Sequence, residues 1–368
     1  MAQSSQESMT VAVLPSPIAP RAAPATGYVP PYVRRVREEA AQARITLLAR
    51  AARPAGPRTP ILIAVVRNES AVLADFLEHY RSLGVERFAL IDNGSTDATR
   101  DLLGPEPDVD LYSVIRPFSG KQGWVNALIA RYGYDRWYLN VDADEHLVFD
   151  GAPGRTLADL IAFATARGLR RVRGVLVDMY SPGPLLAVPP ANGQPLGARF
   201  RLFDDDGYEE ALCLERISRK GGPRRRRFSH PGDDFDPELT KYPLFLIRPG
   251  EVAASPHHLH PYRDNYLSDC FLGLLHYKFG DGFLAKAELA SLEGNYWRGS
   301  LEYRRYLEVL ARDRDLRLDY PGSRAYAGPG DLVTAGLIAP IPWEERRTLL
   351  RSVALLARMF RRRRRIEH

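Results

Sequence analysis

The 368-residue chain has only two cysteines, Cys213 and Cys270, too few for a disulfide framework or a cysteine-based zinc site. No run approaches the eighteen or so apolar residues that a membrane span needs. The N-terminus lacks a basic segment followed by an apolar core, so a secretory signal is not expected and a reducing cytoplasm fits best. Aromatic and basic residues are not interleaved as in nucleic-acid-binding surfaces, and no nucleic-acid partner is expected. What the chain does have is an ordinary globular balance, 45% hydrophobic and 26% charged, with a net charge of +6. Part of that charge lies in two runs, Arg224 to Arg227 and Arg361 to Arg365. Such runs read either as solvated surface or as contacts for nucleotide phosphates, a lipid-linked acceptor or an anionic membrane.

Residues 1 to about 32 are rich in Ala, Pro and Ser and read as disordered. Val33 to Ala52 has helical periodicity, and Arg53-Pro54-Ala55-Gly56-Pro57 breaks it. These features predict a leading segment over 1–58, a catalytic domain over 59–340, and a basic C-terminal helix and tail over 341–368. In that last helix Leu349, Val353, Leu356 and Phe360 share one face among arginines. It either packs on the domain or rests on an anionic membrane, at the inner face for a cytoplasmic protein.

From Ile61 an α/β rhythm begins. Strands are predicted at Ile61–Val66, Arg87–Ile91, Val109–Ile115 and Trp137–Val141, with helices at Ala71–Leu83, from Thr96 through Leu103, and at Gln122–Tyr132. Alternation of this kind implies a largely parallel sheet with helices on both faces, with ligands at the carboxyl ends of its strands. Three strand ends carry polar residues: Arg67-Asn68-Glu69, Asp92-Asn93, and Asp142-Ala143-Asp144-Glu145. Any one of these could be a cap or a solvated turn. Their coincidence points to a site. Two aspartates one residue apart after a strand suit Mg²⁺ or Mn²⁺, which would neutralise a nucleoside diphosphate as it departs.

Three ordered motifs, Val65-Val66-Arg67-Asn68-Glu69, Ile91 to Asp97 and Val141 to Glu145, resemble those of the family 2 glycosyltransferases. A bacterial branch similar to the family 92 type is the nearest pattern, on the further evidence of Val177 to Tyr180, Leu274 to Phe279 and Pro321 to Arg324. The resemblance implies a GT-A type fold and a metal-dependent, inverting transfer of a sugar from a nucleotide-sugar donor to a glycan or lipid-linked acceptor. It implies Asp142 and Asp144 as metal and ribose ligands and Asp92 as a nucleobase contact. Asn68 and Glu69 would line the nucleotide pocket, with Lys121 and Asn126 near the diphosphate or sugar. Many relatives carry a second Asp where this chain has Asn93, which leaves the nucleobase contacts open. His276 would complete the metal site, with His258 as the alternative. Inversion needs a carboxylate base; Asp178 and Glu210 are the first candidates, and Glu209 and Asp204 to Asp206 the others. Two other readings stand beside this one. A nucleotidyltransferase would want a Gly-rich, Lys-containing loop where Arg67-Asn68-Glu69-Ser70 stands, and a non-catalytic binding module would not need Asp142 and Asp144.

Overall fold

The computed structural model describes residues 29–56, 59–188, 191–213, 216–230, 232, 234–261 and 268–343. The predicted C-terminal helix, Trp343 itself excepted, and most of the predicted disordered segment lie outside these residues. The chain opens with α1 (Pro31–Gln42) and β1 (Thr46–Ala49), followed by β2 (Ile61–Val66), α2 (Leu73–Ser82), β3 (Arg87–Asp92), α3 (Thr99–Leu103) and β4 (Val109–Ser113). Next come α4 (Lys121–Tyr132), β5 (Arg136–Asn140), β6 (Glu145–Phe149), α5 (Leu157–Ala166) and β7 (Arg171–Asp178). A smaller group follows: α6 (Leu196–Arg199), β8 (Leu202–Asp204), β9 (Glu209–Cys213), β10 (Arg216–Lys220) and α7 (Gly222–Phe228). The last part holds β11 (Thr240–Ile247), β12 (Val252–Ser255), β13 (His258–His260), β14 (Cys270–His276), α8 (Phe283–Glu293), α9 (Trp297–Arg312), β15 (Ser323–Ala325) and α10 (Pro329–Thr334).

Nine strands form the central sheet in the order β1-β4-β3-β2-β5-β11-β7-β14-β6. The protein is α/β, as the alternation predicts, but the sheet is mixed rather than mostly parallel. It is parallel across β4-β3-β2-β5 and again at β7–β14. It is antiparallel where β1, β11 and β6 join. The parallel block is the stretch where strands and helices alternate; the reversed strands come from the later chain, where that rhythm fails.

Alternate residues of β2 feed two cores, which is why Ile61 to Val66 reads as an unbroken apolar run. Leu62, Ala64 and Val66 pack with Phe76 and Tyr80 of α2, whereas Ile61, Ile63 and Val65 pack with Trp124 and Leu128 of α4. A third cluster, Phe228, Phe279, Phe283 and Tyr306, joins α7, α8 and α9 beside the sheet.

The predicted helix over Val33–Ala52 stops at Gln42. Beyond it Ile45 and Leu47, two apart, pack on the second core, and Thr46 to Ala49 pair with β4. Edge pairing and alternate burial outweigh the helical spacing there.

Strand directions place the ends of β2, β3, β5, β7 and β14 and the starts of β6 and β11 on one rim. That rim holds Asn68, Asp92, Asp142, Asp144, Glu145, Asp178, Lys241 and His276.

Helix α1 lies against α4 at Gly123, where an added Cβ would stand 2.4 Å from Glu39 Cβ and 2.9 Å from its carbonyl carbon. Backbone cannot yield as a side-chain tip can. Gly123→Ala is therefore expected to displace α1 and to lower stability by about 1–3 kcal/mol, the usual cost of overpacking. Limited trypsin digestion would show it as faster cleavage across Arg34, Arg35 and Arg37. Unchanged cleavage and an unchanged unfolding midpoint would contradict the close packing.

Candidate metal and donor site

Asp142 follows β5 and carries two lysines. Lys121 Nζ, from the first turn of α4, bonds Asp142 Oδ1, and Lys241 Nζ, near the start of β11, lies 3.3 Å from Oδ2. Lys241 also pairs with the buried Glu145, whose other oxygen accepts the Asp142 N–H at 3.1 Å. Burial alone would raise the Asp142 pKa, but the two lysines hold it well below the usual carboxylate range. The backbone that follows is fixed from α2, where the buried Tyr80 hydroxyl donates to Glu145 O at 2.7 Å and accepts the Leu147 N–H at 3.1 Å.

Asp144 is held less tightly. Its Oδ2 stands 3.7 Å from His276 Nε2 and 4.0 Å from Lys286 Nζ. His276 ends β14 in register with both Asp178 and Glu145. Its Nδ1 lies 2.6 Å from Asp178 Oδ1, while Arg224 Nε donates to Asp178 Oδ2 at 2.8 Å. Burial would push the Asp178 pKa up; Arg224 and His276 outweigh it and bring it down to about 2. An ionised Asp178 can only accept, so Nδ1 donates to it and Nε2 is the ring nitrogen that faces Asp144. This is the carboxylate–histidine arrangement found behind metal-ligating imidazoles.

Ligand atoms of Asp144, Glu145 and His276 lie within 4.8 Å of one another, which makes them the group among the described residues able to hold a metal ion. The donor set is hard oxygen plus imidazole nitrogen, which fits Mn²⁺ or Mg²⁺. At 3.7 Å Asp144 and His276 are too far apart to hydrogen-bond each other, so neither ligand atom is taken up by the other. Glu145 can ligate only by exchanging Lys241, and Asp142 only by exchanging one of its lysines.

A cleft of about 250 Å³ opens from Asp144, lined by Arg67, Asn68, Glu69, Lys278 and Lys286. Two ion pairs close α8 over it: Arg67 to Glu293 at 2.7 Å and Lys286 to Glu69 at 2.7 Å. Asn68 and Glu69 thus both line this cleft. Asn68, with φ +55°, also ties two loops by accepting the Thr96 N–H at 2.8 Å.

The other site residues predicted from sequence are placed differently. Asp92 is fully buried; its carboxylate accepts from the Gly94 and Ser95 N–H groups and pairs with Arg100. It builds the 92–95 turn rather than presenting a free oxygen to a base. Asn126 is turned away from the rim: its amide donates to Ala253 O at 2.8 Å and accepts the Ala253 N–H at 3.0 Å, joining α4 to β12. Asp178 has both oxygens engaged, so it orients His276 instead of standing as a free base. Glu210, on the β9–β10 hairpin, pairs with Arg173 and Arg219 at 3.0 Å each. Arg173 is five residues before Asp178 on β7, roughly 16 Å back along the strand. His258 bonds Ser255 Oγ on the β12–β13 hairpin and is not part of the metal group.

In the arginine run 224–227 Arg224 is buried and the other three are partly exposed, and each of the four is paired with a carboxylate. Arg224 pairs with Asp178 and Glu302, Arg225 with Glu209 and Asp236, Arg226 with Asp204, and Arg227 with Asp313.

Asp178 carries a pH signature. Its pKa is depressed in the folded chain, so its contribution is complete above the ordinary carboxylate value and is lost as pH falls through about 2. The shift from 3.8 to about 2 corresponds to about 2 kcal/mol. Urea unfolding of the wild type and of Asp178→Asn is expected to show a stability gap that narrows by about that amount between roughly pH 4 and 2. A gap independent of pH would contradict the assignment.

No family model matches the chain, and no curated protein matches it. Among solved structures similar to it is a crystal structure of apo UDP-glucose pyrophosphorylase, at 8% identity, over 60% of this chain and 91% of that one, with a TM-score of 0.28. At that score the likeness carries no functional argument.

Proposed function

We propose that the chain is a GT-A type, metal-dependent glycosyltransferase that moves a sugar from a nucleotide-sugar donor to a hydroxyl of a glycan or lipid-linked acceptor, with inversion. The observation that carries this reading is the facing pair of Asp144 and His276, not hydrogen-bonded to each other, at the mouth of a cleft bearing Arg67, Lys278 and Lys286. A divalent cation bound there would supply positive charge to the diphosphate. The protein's own part is to hold Nε2 of His276 in place through Asp178, and to present Lys286 and Arg67 to the phosphate oxygens. Both cations have carboxylate partners, Glu69 and Glu293, that an arriving diphosphate would replace. Preorganised charge aimed at a leaving group is where such sites gain most of their rate.

Nucleotide-sugar donors are to be screened by thermal shift with and without Mn²⁺, and the best donor then assayed for hydrolysis or transfer. Asp144→Ala is the cleanest variant, because Asp144 is the rim carboxylate least involved in holding its neighbours. Metal-stimulated turnover is expected to fall by about 100-fold or more, as for loss of a ligand to an ion that stabilises departing charge. Chelation of the metal should reproduce the loss in the wild type. Full metal-stimulated activity in the variant would overturn the reading.

A further inference from the structure

A second cavity, of about 570 Å³, lies beside the first and shares Tyr277 as a wall. Its size is within the range of roughly 300–1,000 Å³ usual for small-molecule sites. It is an open cavity bordered by α2, β6, the 193–197 segment, and Tyr326 to Pro329 before and at the start of α10. Leu196, on one wall, is fixed to α2 by its N–H, which donates to Asp75 Oδ2 at 2.6 Å.

The lining chemistry differs from that of the donor cleft. It contains Asp75, Glu78, His79, His146, Tyr277 and Tyr326, and neither a lysine nor an arginine. With two carboxylates and no cation, the cavity repels phosphates and other anions. Its ligand atoms do not converge as a metal site would require; among the described residues only the Asp144, Glu145 and His276 group does so. The polar lining disfavours a purely apolar guest, which would leave these groups without partners.

The rings are flat surfaces with hydrogen-bonding edges. His79 and His146 stack at 4.4 Å with planes 7° apart, and Tyr277 meets His146 edge-on at 5.0 Å. His79 Nε2 is 2.8 Å from Leu147 O, and a carbonyl only accepts, so Nε2 carries the proton and Nδ1 is left as an acceptor. His146 is 7% exposed, and its Nε2 has no hydrogen-bond partner. Buried polar atoms without partners are uncommon in native structures and need an explanation.

From the cavity's size, its aromatic walls, its neutral and acidic hydrogen-bonding groups and its lack of cations, we infer a binding site for an uncharged saccharide of one or two rings. Sugar hydroxyls donate to carboxylates and to the acceptor nitrogen of His79, and the apolar face of a sugar ring lies on an aromatic side chain such as Tyr326. The inference does not depend on what the donor cleft does.

The test uses the full chain and four probes: glucose, N-acetylglucosamine, maltose and glucose 6-phosphate. Binding is followed by saturation-transfer NMR and calorimetry, in the wild type and in Glu78→Ala, Tyr326→Ala and Asp144→Ala. At least one neutral sugar is expected to bind with a Kd of about 1 mM or tighter. Binding should weaken about fivefold or more in Glu78→Ala or Tyr326→Ala, a change of about 1 kcal/mol. Glucose 6-phosphate should bind about tenfold more weakly than glucose, and Asp144→Ala should leave sugar binding unchanged. Glu78 is exposed, so its variant tests the site even if the Tyr326 variant folds poorly. The inference fails if no neutral sugar binds at about 10 mM. It also fails if binding survives both pocket variants, or is lost in Asp144→Ala alone, which would place the sugar in the donor cleft.

Discussion

Carboxylates gathered at the end of a buried sheet cannot stay ionised without cations, and that constraint organises this rim. Glu145 and Asp178 are each 1% exposed. A buried charge left alone costs several kcal/mol, and removing one partner of a pair strands the other. Lys241 answers Asp142 and Glu145 together, and Arg224 answers Asp178. These cations come from β11 and α7, far along the chain from the motif they support. The pairs therefore do more than balance charge. They fix how the later, antiparallel part of the sheet meets the earlier, parallel part, because a slip of either would unpair two charges at once.

Within this frame the residues divide by how firmly they are held. Asp142, Glu145 and Asp178 are tied by short bonds and act as supports. Asp144 and His276 face each other without a hydrogen bond between them, and Asp144 opens onto the cationic cleft. The arrangement concentrates the available ligand atoms where an incoming diphosphate would meet Lys286 and Arg67. Tyr277, next in sequence to His276, donates its N–H to Asp144 O at 2.8 Å and forms a wall of both cavities. Tyr277 is thus one of the links between the two cavities; Tyr80, which ties α2 to Glu145 and Leu147, is another.

Much of the first half of the fold was legible in the sequence. Ile61 to Val66, Arg87 to Asp92 and Trp137 to Asn140 are short apolar runs closed by polar turns, and such runs become buried strands on local grounds alone. The Asp-Ala-Asp triplet could be picked out because residue type and position after a strand both point to ligation, whereas His276 came from the family resemblance alone. The supporting cations could not. Lys241 is a single lysine before an apolar strand, and nothing nearby in sequence marks it as the partner of residues about a hundred positions earlier. Arg224 lies in an arginine run whose composition suggests solvent, whereas each member is paired within the fold. Asp178 departs from its expected role for a related reason: strand position shows where a polar side chain begins, not which buried partner occupies it. Asn126, on α4, had its role from the resemblance alone, and its amide is taken up by the backbone of Ala253. Thr46 to Ala49 failed differently, since helical spacing is a local signal and an edge strand answers to β4.

The central claim is that Asp144 and His276 hold a divalent cation that in turn holds a nucleoside diphosphate. Crystals grown with Mn²⁺ and UDP or GDP, measured for anomalous scattering from manganese, test it most directly. The account expects a single strong peak between Asp144 Oδ2 and His276 Nε2, with diphosphate oxygens on the side of Lys286 and Arg67. A nucleotide bound in the cleft with no manganese at that position, or manganese held by other residues, would contradict it.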